Sequence, residues 1–152
     1  MTAKEKVLDL HEKKYNCAQS VFGAFCEDFG VDRETAFKMA GAFGNGMRCG
    51  EVCGAASGAL MALGMMYGHH VDFDLEQKEL CYRKTKEWMR RFNERFGETR
   101  CFALLGMDMS DDDVYYSEEA LALRNKICPG IMAGAVELME EAIAEFKNKD
   151  NA

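Results

Sequence analysis

The stretch Gly44–Gly64, GNGMRCGEVCGAASGALMALG, begins as a glycine-rich loop and ends as a run of small and apolar residues with no charge after Glu51. The spacing predicts a helix from about Glu51 to Tyr67. On it Gly50, Gly54, Gly58 and Ala62 recur every four residues, so one face carries almost no side chains. Such a face admits close approach by another helix, by a cofactor or by a twin subunit, and a homodimer contact along or beside it is one expectation. Gly44 and Gly46 flank Asn45, which lets the loop take positive φ values and turn backbone N–H groups inward. Gly46, Gly50 and Gly54 are therefore candidate cofactor-binding positions. The loop is not a nucleotide-binding one: it lacks a G-K-[ST] ending and no strand precedes it.

Helix signals surround this segment and alternation with a period of two is absent. Upstream, TAKE (Thr2–Glu5) has capping-box spacing, Asn16 can cap a second helix that stops at Gly30, and Asp32 can cap a short third one ending near Gly41. Downstream, Asp74 opens what reads as the longest helix, with Cys81, Trp88, Phe92 and Phe96 at helical spacing before Gly97. Thr99 caps a short helix over RCFALLG, a loop follows, and a helix forms near SEEALALRNK. Pro129 suits the first position of a last helix with Ile131, Ala135, Leu138 and Ala142 facing inward. The expected fold is all-α, a single cysteine-rich domain over residues 1–152 built as a bundle of about six or seven helices.

Composition narrows the chemistry. The N-terminus alternates charges with apolar residues, unlike a signal peptide, and no uncharged run reaches bilayer length, so no membrane span and a cytoplasmic location are expected. In that compartment seven cysteines suggest metal binding or redox chemistry rather than a disulfide scaffold, and an odd number cannot all pair within the chain. A net charge of −7 disfavours nucleic acid and is compatible with a basic redox protein partner.

On the predicted helices Cys17, Cys53, Cys101 and Cys128 all fall at N-termini. There free N–H groups and the positive end of the helix dipole favour thiolate, the form that ligates metal or attacks a disulfide. Cys26 and Cys81 sit inside amphipathic patterns and read as core. Cys49, four residues before Cys53, is intermediate: the two could form a catalytic dithiol. His69 and His70 read as helix-end residues, Asp111–Asp113 as a solvated loop, and Met61, Met65 and Met66 as core.

The segments NCAQSV, CGEVCGAASGALMALG, RFGETRCFALLG and ICPG together resemble the C_GCAxxG_C_C family of redox-active proteins, from about Asn16 to the last helix. The resemblance carries the family's cysteines onto Cys17, Cys53, Cys101 and Cys128, with Cys49 as an additional thiol. A related group, the split-Soret cytochromes, is similar in this domain and is thought to bind an iron–sulfur centre. It carries covalent haem through C-x-x-C-H, which this chain lacks. The first functional expectation is thus an electron-transfer protein whose four cysteines hold an iron–sulfur cluster or another thiophilic metal, without covalent haem. The second is a dithiol oxidoreductase using Cys49 and Cys53, and the third a carrier or assembly module without turnover.

Overall fold

The computed structural model describes residues 1–150. Its α-helices are α1 (Ala3–Glu12), α2 (Cys17–Phe25), α3 (Arg33–Ala40), α4 (Gly54–Tyr67), α5 (Leu75–Phe96), α6 (Cys101–Leu105), α7 (Asp112–Tyr115) and α8 (Glu118–Asp150). A 3₁₀ turn, Cys26–Phe29, extends α2, and a π turn spans Gly46–Gly50. Among the described residues no strand forms; one isolated antiparallel bridge joins Val52 to Arg100. The all-α expectation holds. Among the described residues, no helix is long and apolar enough to cross a membrane.

Local chemistry sets most of the helix starts. Thr2 and Asn16 each accept from the N3 backbone N–H while the N3 side chain, Glu5 or Gln19, accepts from the cap's own N–H. Asp32 and Asp74 cap α3 and α5 from one side only. Gly30 and Gly97 close their segments in the left-handed region, where only a residue without Cβ sits free of strain.

Three expected boundaries are wrong, each for a physical reason. Helix α4 begins at Gly54, not near Glu51, because Asn45, Gly46, Met47, Arg48 and Gly50 all have positive φ and the chain then extends through the Val52 bridge. Thr99 does not cap α6. Its carbonyl accepts from the Cys53 N–H at 2.8 Å, and Arg100 occupies the cap position without a side-chain bond. The two expected C-terminal helices are one, so α8, at 33 residues, replaces α5 as the longest, with Pro129 inside it. A proline there forfeits one helical bond and costs about 3 kcal/mol. Burial of Met132, Ala135, Val136 and Met139 beyond it offsets that cost.

Helix α4 lies at the centre, packed on α2, α5 and α8. Ala55, Ala56, Ala59, Ala62 and Leu63 are all buried, as befits a helix apolar on every side. A Cβ on Gly58 would stand 2.5 Å from the Ala18 carbonyl oxygen, and one on Gly54 2.9 Å from that of Phe43 and 3.1 Å from Cys17 Cβ. The small-residue face thus admits α2 of the same chain. That leaves the glycine face itself unavailable to a twin subunit.

Candidate thiol centre

The packing of α2 on α4 sets Cys17, the first residue of α2, beside the start of α4. Cys53 is the N-cap of α4, and Cys101 is the first residue of α6. These last two segments are tied together through the backbone: the Cys53 N–H donates to Thr99 O at 2.8 Å and the Cys101 N–H to Glu51 O at 2.7 Å. The pair brackets the Val52–Arg100 bridge and holds the two cysteines side by side. Cys128 comes from the interior of α8, one position before Pro129, and not from a helix start. The expected set of four helix termini is therefore three termini and one mid-helix residue.

All four cysteines nonetheless meet. Cys17, Cys53, Cys101 and Cys128 line one small cavity of about 10 Å³, whose wall also includes Leu105, Ile131 and Asn45. Cys53, Cys101 and Cys128 are buried and Cys17 is half-buried. Of the candidate glycines, Gly54 lines this cavity, and Gly46 and Gly50 do not. A Cβ on Gly46 would overlap the Glu51 backbone, and one on Gly50 would press on Phe102 Cβ at 3.2 Å; both shape the loop. Arg48 fastens the loop from outside, donating to Met109 O at 2.6 Å and Asp112 Oδ1 at 3.0 Å, with its guanidinium 3.6 Å from the Tyr115 ring centroid.

Burial overrides the helix dipole at these thiols. It pushes Cys53 up to about 11, against the pull of the nearby Ala55 and Ala56 N–H groups. It pushes Cys101 to about 12, reinforced by Cys53 and Cys128. Cys17 also lies well above its ordinary value, first through its hydrogen bond with Cys128 and then through burial and the other thiols. Cys128 is held below the usual thiol range, by the Cys17 thiol and then by the Arg124 cation. The expectation that helix starts make thiolates fails here because desolvation of the charged form outweighs a few N–H groups. The acidic member of the set is the one without a helix start.

The remaining thiols are elsewhere. Cys49 is exposed on the π turn and does not line the cavity that Cys53 lines. Cys26 is fully buried in the core, its sulfur 3.6 Å from Gly23 O, and Cys81 is half-buried on α5 against that core. No disulfide links any of the seven. His69 and His70 are exposed beyond α4, and Asp111 caps α7. Arg124, which sequence reading missed, stands four residues before Cys128 and so on the same face of α8. Breaking the helix at Pro129 concealed that relation.

A family model described as "Putative redox-active protein (C_GCAxxG_C_C)" matches residues 15–142. The chain belongs to this family. The C_GCAxxG_C_C match takes in α2 through most of α8 and with them all four cavity cysteines. No curated protein and no solved structure matches the chain significantly.

The donor set suits a thiophilic metal in kind, being all sulfur. Among the described residues, however, no three Cys, His, Asp or Glu side chains are grouped to hold one metal ion. A single tetrahedral ion needs every sulfur about 2.3 Å from one point. Four thiols around a shared space without that convergence do not form a ready-made site for a single ion.

Proposed function

We propose that Cys17, Cys53, Cys101 and Cys128 hold an iron–sulfur cluster and that the protein works as an electron-transfer protein. The observation that carries this reading is the meeting of four cysteines, from α2, the N-cap of α4, α6 and α8, at one small cavity. Burial and the neighbouring thiols hold Cys17, Cys53 and Cys101 toward the protonated form, while Cys128 is the acidic member of the set. A cluster bound there would displace the thiol protons, and the four side chains would have to spread to admit it, since the cavity between them is the size of about one water. A cluster held there would take up and return one electron through its irons. The chain's part is to line the cavity with Leu105 and Ile131 and to place Cys53 at the start of α4. Protein produced and purified without oxygen is expected to be coloured, to contain iron and acid-labile sulfide, and to bleach on reduction. Colourless protein that also fails reconstitution with iron and sulfide would remove this reading.

A second reading draws on the Cys17–Cys128 hydrogen bond and the acidity of Cys128. In it the Cys128 thiolate attacks a small-molecule disulfide: a Cys128–S bond forms, the substrate S–S bond breaks, and one thiolate leaves and takes up a proton. Cys17, giving up its proton, then displaces the second substrate thiol. The substrate disulfide is reduced by two electrons and Cys17–Cys128 is oxidised to a disulfide. For the Cys49–Cys53 exchange there is less support, because Cys49 is exposed and Cys53 faces the small cavity. Mass mapping after mild oxidation separates the three: a Cys17–Cys128 bridge, a Cys49–Cys53 bridge, or none in cluster-loaded protein.

A further inference from the structure

A second, open cavity of about 210 Å³ shares Cys17, Asn45 and Cys128 with the first and lies between the end of α1, the start of α2 and the first half of α8. His11, Lys14 and Arg124 line it and no carboxylate does, in a chain whose net charge is −7. Glu12, the acid that acts on His11, is exposed and outside the wall. The amides of Asn16, Asn45 and Asn125 complete the polar lining.

The three basic residues stand in different local settings. His11 Nδ1 is buried and, among the described residues, has no hydrogen-bond partner. A buried polar atom of this kind costs free energy until something bonds it. Arg124 spends Nη1 on Tyr115 O at 3.0 Å and on the Met109 thioether at 3.2 Å, and its guanidinium lies 4.1 Å from the Tyr115 centroid. Among the described residues no carboxylate pairs with it. Lys14 has φ +74, in the left-handed region just past α1, where glycine or asparagine sits with less strain. A strained backbone that keeps a lysine on a cavity wall points to a task for its ammonium.

We propose that this cavity binds a small oxyanion, a carboxylate or phosphate, between Lys14 and Arg124, directly beside Cys17 and Cys128. Its volume is below the roughly 300–1,000 Å³ of pockets for drug-sized ligands, which suits a molecule of few heavy atoms. The inference goes beyond the cluster reading, because the binding requires no cluster.

The test is calorimetric titration of the purified chain with inorganic phosphate and with malonate, at fixed ionic strength set with chloride, and with neutral malonamide alongside. Saturable binding of phosphate, malonate or both, one per chain, is expected, and none of malonamide; which anion binds distinguishes phosphate from carboxylate chemistry. Lys14→Gly is expected to weaken binding about tenfold or more. The same change relieves the left-handed strain, so the thermal midpoint stays or rises. Arg124→Gln should weaken binding comparably, and because Arg124 also holds Tyr115, Lys14→Gly decides the matter if that variant fails to fold. Cys49→Ser, outside the cavity, leaves binding unchanged. Neither anion binding beyond chloride, or both binding equally well to Lys14→Gly, overturns the proposal.

Discussion

At Cys53 two effects compete, and the outcome fixes a measurable pH dependence. N–H groups from the start of α4 favour the thiolate, burial favours the thiol, and burial wins, to about 11 against an ordinary 9.0. Cys101 goes the same way, to about 12. The folded chain therefore holds these protons more tightly than the unfolded one. The resulting stability is whole below about pH 9 and is lost as pH rises through 11 and 12. We predict that the thermal midpoint of metal-free protein falls across that window and that Cys53→Ser flattens the fall. A pH-independent midpoint from 9 to 11 would contradict the burial argument. Outside the cavity, Cys26→Ser puts a hydroxyl into a fully buried apolar site and should cost about 1–2 kcal/mol in chemical denaturation. Cys49→Ser, on the surface, should stay within about 0.5 kcal/mol of the parent. The roles of Cys26 and Cys81 were legible because amphipathic periodicity marks a core face. The acidity of Cys128 was not, since it depends on Cys17 and Arg124, and neither contact is visible until the helices are packed.

Among the helices, α4 shows how spacing becomes architecture. Its glycines bring the α2 backbone close enough that a methyl at Gly58 has no room, whereas one at Gly64 meets nothing within 4 Å. Gly58→Ala should therefore destabilise by about 1–3 kcal/mol through overpacking. Gly64→Ala should stabilise by about 0.5–1 kcal/mol through helix propensity. Urea unfolding of the two variants checks both signs, and equal effects would mean that the face is not packed as described. Caps at Thr2, Asn16, Asp32 and Asp74 could be read from sequence because each rests on bonds within four residues. The π turn and the bridge could not: they are held by bonds from residues 51–53 to 99–101 and by Arg48 reaching Met109 and Asp112. Pro129 misled for the opposite reason. It is a strong local signal overruled by the apolar face that α8 buries beyond it.

For the molecule as a whole, helix packing brings cysteines as far apart as positions 17 and 128 to one cavity. All four lie in the span of the C_GCAxxG_C_C match, as do the other three cysteines. The meeting could be anticipated from sequence as a requirement on the fold; its mid-helix fourth member and its basic neighbour cavity could not. The account makes one centre of four residues, so it predicts failure as a unit. The direct test is a serine scan of all seven cysteines, with each variant purified without oxygen and scored for iron per chain, visible absorption and thermal midpoint. Cys17→Ser, Cys53→Ser, Cys101→Ser and Cys128→Ser should each lose iron and colour to a similar degree, while Cys26→Ser, Cys49→Ser and Cys81→Ser keep both. Full iron in any of the first four, or loss of iron from Cys49→Ser with its fold intact, would contradict the four-cysteine centre.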